Sequence, residues 1–362
     1  MTELTPETVQ RYLSSLKGQP VRVLNLASLG QDGQADTIKF GGYGSPIRVD
    51  YQSADQKNHS LVLHTMRPGP FGHEHMADRA QILLWSNETF GRLSRHVRSL
   101  DVGGFHSDGT LISIGQVEEF FLLTEYAVGQ GYFRDLEQLR DNGRLRELDL
   151  DRVDVLCDYL VEIHSKRSKD AELYIRRVRE LVGHGECIMG IADSYPPHSL
   201  ITSEKLEQME HRCVVWRWRL KRFTHRLRQV HGDFHPWNIL FRSGTDFTVL
   251  DRSRGEYGDP ADDVACLSLN YAFFSLQRSG RLEGVFETLF LRFWDRYLKK
   301  TGDPEMLQVV APFLAFRALV MASPVWYPSL PEVVRSKLVS FIFGVLDEET
   351  FDPAQVNRYF DA

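Results

Sequence analysis

The chain has 362 residues, of which 42% are hydrophobic and 25% charged, as in a globular protein of one large or two moderate domains. The formal net charge of −6 gives no general attraction to nucleic acid or to an anionic membrane, and no apolar stretch is long enough to span a bilayer. Four scattered cysteines without a CxxC pair indicate reduced thiols, so we expect a cytoplasmic protein without a signal peptide.

The first third of the chain carries the signals of short β-strands. Runs of alternating or apolar residues are separated there by Gly, Asp and Asn, which favour turns. One helix, over 75–93, interrupts these runs, with apolar residues near helical spacing. The predicted strands are Val21–Leu26, Ile47–Tyr51, Ser60–His64, Thr110–Ile114 and Phe120–Thr124.

Helical periodicity dominates from Arg134 onward. A strand-rich part followed by a helix-rich part predicts an α+β protein with two lobes, 1–126 and 127–362, joined at a glycine-containing hinge over 127–132. No internal repeat or low-complexity tract is present. The predicted helices are Leu148–Lys166, Ala171–Val182, Ser203–Gln229, Gly284–Lys300 and the region Pro304–Val345.

Residues 231–238, which read HGDFHPWN, are predicted to form a loop before a β-hairpin. Pro236 prevents a helix from continuing, and extended runs follow over 239–241 and 247–250. If these two runs pair, Asn238 and Asp251 lie close together at the open end of the hairpin.

These residue types suit phosphoryl transfer. Asp233 can accept or orient the proton of a substrate hydroxyl group. The amide oxygen of Asn238 and the carboxylate of Asp251 are the hard ligands that Mg²⁺ prefers. The spacing H-x-D-x-x-x-x-N also matches the catalytic loop of kinases, with Gly in place of the usual Arg.

The chain here resembles the aminoglycoside phosphotransferase-like family, which includes choline, homoserine and antibiotic kinases. Residues 231–238 fit the family's HGDxxxxN loop, and Asp251 is followed by GDPADDVA at 258–265, similar to its GDPxxDxA segment. The resemblance implies a protein-kinase-like fold with a small antiparallel N-terminal sheet and a larger helical C-terminal lobe. It also implies ATP and Mg²⁺ as cofactors, a small-molecule alcohol as acceptor, and a role for Asp263 in bracing the loop backbone.

A phosphate-covering hairpin is expected in Thr37–Tyr51, with Gly41, Gly42, Gly44 and Ser45 in its turn. The glycines would let backbone N–H groups approach phosphate oxygens, although a plain hairpin turn would show the same pattern. On the following strand His64 stands where family members more often have Lys or Arg.

Other cofactor-binding residues are implied by the resemblance alone. The acid that pairs with the strand residue is Asp78, with Glu74 as the alternative, and Lys39 or Arg48 would compensate for the weaker cation at His64. Backbone groups of Glu125 and Ala127, after the predicted strand Phe120–Thr124, would bind the adenine.

Two other functional classes stay open at this point. Because of His64, one is a catalytically weak nucleotide-binding scaffold. The other is a metal-dependent hydrolase, since His231, Asp233 and His235 alternate and would share one face of an extended strand. Asp193, Glu256 and Tyr257 are candidate substrate-lining residues in the helical lobe.

A basic run over 217–228 is interpreted as the solvated face of a helix and not as a nucleic-acid site, because no nucleic-acid motif accompanies it. The predicted partner is therefore a small molecule, with neither nucleic acid nor membrane, and the oligomeric state is open.

Overall fold

The computed structural model describes residues 4–29, 44, 46–69, 72–92 and 94–361. The chain divides into two compact units, 1–124 and 125–362. Of the residues expected to contact nucleotide, Gly41, Gly42 and Ser45 lie outside the described residues, as does Lys39. Among the described residues no helix combines the length and the apolar character needed to cross a membrane.

The first unit contains a three-stranded antiparallel sheet in the order β1-β2-β3 and a separate hairpin of β4 and β5. Its buried core is small. It is formed mainly by Val9 and Leu13 of the first helix, which pack against Val49 and Tyr51 of the central strand. The elements are α1 (Pro6–Lys17), β1 (Arg22–Ser28), β2 (Ile47–Gln52), β3 (Asn58–Leu63), α2 (Met76–Thr89), β4 (Gly103–Phe105) and β5 (Leu111–Ser113).

The second unit is mainly helical, with short strands beside the loop that carries the sequence motif. Its strands are β6 (Gln130–Gly131), β7 (Arg228–Gln229), β8 (Ile239–Phe241), β9 (Phe247–Val249) and β10 (Tyr257–Gly258). Its helices are α3 (Phe133–Asn142), α4 (Glu147–Ser165), α5 (Ala171–Gly183), α6 (Ile188–Asp193), α7 (Ser203–Leu220), α8 (Ala261–Ser279), α9 (Gly284–Thr301), α10 (Met306–Val309), α11 (Ala311–Ala322), α12 (Glu332–Leu346) and α13 (Asn357–Phe360).

Helices α8 and α11 form the centre of the second unit's core. Both are buried on nearly every side, as expected for helices that are apolar all round. They pack against each other, and α9 and α12 pack against them. The buried charged residues of these two helices are Asp263 in α8 and Arg317 in α11, and their burial requires partners.

The predicted α+β class is confirmed, with small antiparallel sheets in the first unit and a mainly helical second unit. One predicted helix is too long, because α7 ends at Leu220 and does not reach Gln229. The reason is tertiary: Arg228 and Gln229 pair with Gly258 and Tyr257 as antiparallel strands, which overrides the helical periodicity.

The predicted strand Phe120–Thr124 is wrong. This segment has no strand assignment, and Phe121, Leu122 and Leu123 are 91%, 88% and 87% exposed. An apolar run forms a strand only where a neighbouring strand satisfies its backbone, and no described strand pairs with this one.

Candidate active site

The two extended runs after the HGDFHPWN loop form the predicted hairpin. Strands β8 and β9 are antiparallel, with Ile239 opposite Val249, and the backbone N–H of Leu250 donates to the carbonyl of Asn238 at 2.8 Å. Asn238 and Asp251 therefore flank the hairpin at its open end, as the sequence predicted.

The side chains at this open end leave oxygen atoms available to a cation. Asn238 Nδ2 donates to the carbonyl of Asp233 at 3.1 Å. The other polar atom of this amide, Oδ1, is an acceptor and can bind a cation. Asp251 is exposed and adopts the left-handed conformation with φ 55°, which is uncommon for a residue other than glycine.

We find no described group that donates to the Asp251 carboxylate. An amide oxygen and an unpartnered carboxylate fit Mg²⁺, which keeps waters and takes further oxygens from nucleotide phosphates. A complete protein cage is not required for such a site, and the described residues contain no group of three or more His, Cys, Asp or Glu that could hold a metal.

Asp263, at the start of α8, holds the backbone of the loop. Its side chain is fully buried and accepts the N–H groups of His231 and Gly232 at 2.8 and 2.7 Å, and His164 Nε2 donates to it at 3.0 Å. Burial raises the pKa of Asp263, but these donors lower it by more, so the pKa lies below its ordinary value and the group stays ionised.

His231 is a structural part of the loop. It is 2% exposed, packs edge-on against Phe234 with ring centroids 5.6 Å apart, and its Nδ1 accepts the N–H of Asp233 at 3.3 Å. Burial lowers its pKa and favours the neutral ring. Because 231–235 do not form a strand, the alternating residues His231, Asp233 and His235 do not share a strand face as the hydrolase hypothesis requires.

The Asp233 carboxylate is held by an arginine from a distant helix. Arg317 Nη1, from α11, donates to Asp233 Oδ1 at 2.5 Å, and its Nη2 donates to the carbonyl of Gly232 at 2.9 Å and to Asp262 Oδ1 at 2.6 Å. His235 Nε2 lies 3.5 Å from the other Asp233 oxygen. One guanidinium therefore joins α11, α8 and the loop.

These cations decide the charge of Asp233. Burial raises its pKa, but Arg317 and then His235 and Arg254 lower it by more, so the pKa lies well below its ordinary value. Asp233 is consequently ionised throughout the neutral pH range.

The middle of the chain matches a known family. Residues 134–301 match the model described as the phosphotransferase enzyme family. The resemblance drawn from 231–238 and 258–265 is thereby confirmed, and so is the interpretation of the chain as a phosphotransferase.

Solved structures that are similar to this chain are also kinases, at low similarity. A glucosamine kinase bound to glucosamine, ADP and inorganic phosphate has 15% identity and a TM-score of 0.41, covering 94% of this chain and 99% of that one. An amicoumacin kinase bound to AMP-PNP and Ca²⁺ has 15% identity and a TM-score of 0.40, covering 88% and 91%. A Plasmodium vivax ethanolamine kinase has 9% identity and a TM-score of 0.34, covering 94% and 80%. No curated protein matches the chain.

The phosphotransferase segment contains Asp233, Asn238, Asp251 and Asp263, whereas Arg317 lies beyond it. Sequence reasoning missed Arg317, although a signal existed. A lone arginine in the apolar run APFLAFRALVMA must be buried with its helix, and a buried cation requires acidic partners.

The sequence predicted further nucleotide-binding residues, and those that the structure describes are found in both units. Gly44 bridges to Met66, and a Cβ there would lie 2.8 Å from the carbonyl oxygen of Thr65, so close backbone packing already requires glycine. His64 is exposed just after β3, and Asp78 accepts the backbone N–H of His75 at 2.7 Å at the start of α2.

Glu125 and Ala127 lie in the stretch without strand assignment, so the expectation that they follow an adenine-binding strand loses its structural basis. The candidate substrate residues have local roles: Tyr257 pairs with Gln229, the carbonyl of Glu256 accepts the N–H of Val230, and Asp193 ends α6.

Proposed function

We propose that this phosphotransferase uses ATP and Mg²⁺ to transfer the γ-phosphoryl group to a hydroxyl group of a small molecule. The observation that carries the proposal is the placement of Asp233, Asn238 and Asp251 around one hairpin end, with the loop backbone held by Asp263. Phosphoryl transfer requires mainly positioned oxygens and an oriented nucleophile, and this arrangement supplies both.

In this proposal Asp233 orients the acceptor hydroxyl group and does not remove its proton in advance. A general base works best when its pKa lies near the operating pH, and the pKa of Asp233 lies far below it. The carboxylate instead accepts a hydrogen bond from the hydroxyl group and fixes its direction of attack, because Arg317 holds one of its oxygens.

Asn238 and Asp251 would hold the Mg²⁺ ion, which neutralises charge on the phosphate oxygens when bound. Asp263 would act on the loop and not on the substrate, since its fully buried carboxylate accepts the backbone N–H groups of His231 and Gly232. The acceptor is proposed as an amino sugar or amino alcohol, because the loop at 231–238 resembles that of aminoglycoside phosphotransferase-like kinases and the chain is acidic overall.

The test is ADP release by the purified chain with ATP and Mg²⁺ across a library of sugars, aminoglycosides and amino alcohols. An Asp233→Asn variant is expected to lose some thermal stability, because Arg317 then keeps only Asp262 as an acidic partner among the described residues, but to remain folded and to bind nucleotide while its turnover falls by about 10²-fold or more. An Asp246→Asn variant, on the exposed turn of the same hairpin, serves as the control and should turn over normally. Undiminished turnover by Asp233→Asn on an identified acceptor would show that this residue has no catalytic role.

Thermal unfolding together with ADP release separates the scaffold alternative. ATP that raises the unfolding midpoint without ADP release for any acceptor would favour the scaffold. The hydrolase alternative is not favoured by the geometry. A catalytic metal on Asp233 would lie beside the Arg317 guanidinium, whose positive charge opposes it and which also holds Gly232 and Asp262.

A further inference from the structure

A cavity of about 570 Å³ lies in the second unit, away from the residues proposed for catalysis. The end of α4, the strand β7 and the turn after α9 line it, and Asp233, Asn238 and Asp251 do not. Its volume falls within the range of small-molecule sites. Its lining is strongly charged, which distinguishes it from an ordinary packing gap.

Most charges at this cavity are already neutralised. Buried Arg226 donates to Asp259 at 3.0 and 3.1 Å and to both oxygens of Asp303 at 2.7 Å. The interpretation of the basic run 217–228 as a solvated helix face is wrong for Arg226, because this residue is only 3% exposed.

Two further basic side chains of the lining are also paired. His225 Nε2 lies 2.6 Å from a Glu305 oxygen, and Lys300 donates to Asp158 at 2.6 Å. The acidic residues of the lining, Asp303 and Glu305, therefore both contact basic side chains of the same wall.

Two arginines remain without an acidic partner among the described residues. Arg167 and Arg228 form an antiparallel bridge, so their side chains come from directly opposite backbone positions. Arg228 donates only to the carbonyls of His225 and Leu227, and the exposed Arg167 side chain makes no hydrogen bond or ion pair within the part of the chain that the structure describes. Like charges directly opposite one another destabilise a strand pair.

The two opposed arginines repel each other when the cavity holds no anion, and an anion bound between them would remove this repulsion. Burial, and then the neighbouring Arg167 and Arg226, lower the pKa of Arg228, in agreement with an excess of positive charge at this point. Guanidinium groups bind phosphate through paired N–H donors, and two of them facing one cavity form a dianion site. The cavity also has room for more than a bare phosphate ion.

We propose that Arg167 and Arg228 bind the phosphate group of a small phosphorylated compound in this cavity, at a site separate from the catalytic loop. The occupant would join two chain segments that already contact each other: Gln229 N–H donates to the Lys166 carbonyl at 2.9 Å, and Ser168 N–H to the Leu227 carbonyl at 3.2 Å. The segment 227–229 continues into the loop at His231.

A second connection runs from the cavity wall to the loop. His164 lines the cavity, and its ring bonds Asp263, which holds the loop backbone. The Tyr297 hydroxyl, also in the lining, is hydrogen-bonded to the other nitrogen of His164 at 2.8 Å. Binding at this cavity is therefore positioned to stiffen the loop without contact with its catalytic side chains.

The test is the thermal unfolding of the full chain, without nucleotide, in glycerol phosphate, inorganic phosphate or chloride at equal ionic strength. We expect glycerol phosphate to raise the midpoint more than chloride. Inorganic phosphate raising it equally would assign the site to free phosphate and would contradict the part of the proposal that requires an organic group.

Two substitutions of Arg167 and two controls locate the effect. Arg167→Ser should weaken glycerol phosphate binding about tenfold or more, the loss expected for charge-assisted hydrogen bonds. Arg167→Glu should raise the midpoint in chloride, because it pairs with Arg228, and should abolish the response to glycerol phosphate. Arg222→Ser, an exposed arginine outside the lining, and Asp251→Ala, at the proposed metal site, should respond like the unmodified chain.

The proposal is overturned if Arg167→Ser and Arg167→Glu keep the full response to glycerol phosphate, or if chloride stabilises as well as the phosphates do. Loss of the response in Asp251→Ala with its retention in Arg167→Ser would also overturn it, since phosphate would then bind only at the catalytic site. None of these readouts depends on turnover, so failure of the proposed kinase activity would leave the test intact.

Discussion

Arg317→Met removes the cation that contacts both Asp233 and Asp262, while keeping an apolar side chain of similar length in α11. The guanidinium lost is 5% exposed and makes bonds of 2.5, 2.9 and 2.6 Å to Asp233, Gly232 and Asp262. Removing one partner of a buried ion pair costs about 3–5 kcal/mol, because the other charge stays buried and unpaired. We expect a loss of this size at pH 8, which is a large fraction of a typical stability of about 5–15 kcal/mol.

The pH dependence separates lost charge compensation from lost packing. In the unmodified chain the pKa of Asp233 is lowered, so its contribution to stability is present above the unfolded pKa and persists down to about pH 4. In Arg317→Met, burial still raises the pKa of Asp233 but the arginine that lowered it is gone. We therefore expect the pKa of Asp233 to rise above its value in the unfolded chain. The cost of burying ionised Asp233 without Arg317 is then present at high pH and disappears as the carboxylate is protonated at lower pH. The loss of unfolding free energy should therefore be smaller at pH 5 than at pH 8.

Arg335→Met is the matched control for this measurement. Arg335 is 2% exposed in the neighbouring helix α12, but it donates to the carbonyls of Ala322, Tyr327 and Leu330. Within the part of the chain that the structure describes, its acidic neighbour is Glu332, whose side chain is 63% exposed and lies 3.4 Å away. Its removal should also destabilise the chain, by an amount that does not change between pH 5 and pH 8.

Urea unfolding at several pH values measures both variants. If Arg317→Met loses less than about 1 kcal/mol, or loses equally at pH 5 and pH 8, then Arg317 is not the group that neutralises Asp233. In the turnover assay the same variant should show a new loss of activity on the acidic side, because Asp233 would protonate closer to neutral pH. Arg317→Lys should keep the charge but not the fork that reaches two carboxylates and a carbonyl, so stability should recover more than turnover.

Further predictions concern the metal site and the loop. Asp251→Ala should weaken the Mg²⁺ dependence of ATP binding while leaving the unfolding midpoint nearly unchanged, since its carboxylate has no donor among the described residues; identical Mg²⁺ titrations for the variant and the unmodified chain would remove Asp251 from the site. Asp263→Asn should cost about 3 kcal/mol in urea unfolding and reduce turnover, because the amide presents N–H groups to backbone N–H donors. Asp246→Asn, an exposed acid paired with Arg242, should change neither quantity appreciably, and equal effects at both positions would argue against the bracing role.

The sequence alone determined the features that depend on neighbours along the chain. Pro236 and the two apolar runs predicted the loop and hairpin, because hairpin register follows from local pairing across a short turn. The HGDFHPWN and GDPADDVA segments predicted the family, and the match over 134–301 confirmed that resemblance. The helices α4, α5 and α9 were also predicted closely, since an amphipathic period is written into consecutive residues.

Only the tertiary structure decided where the charges of the site find their partners. The contact of Arg317 with Asp233 spans 84 positions, and that of His164 with Asp263 spans 99, so no local pattern encodes either. The end of α7 and the burial of Arg226 likewise follow from strand pairing and from Asp259 and Asp303. Buried charges take whichever opposite charge the packed helices bring within reach, and that choice is made by the whole core and not by the adjoining sequence.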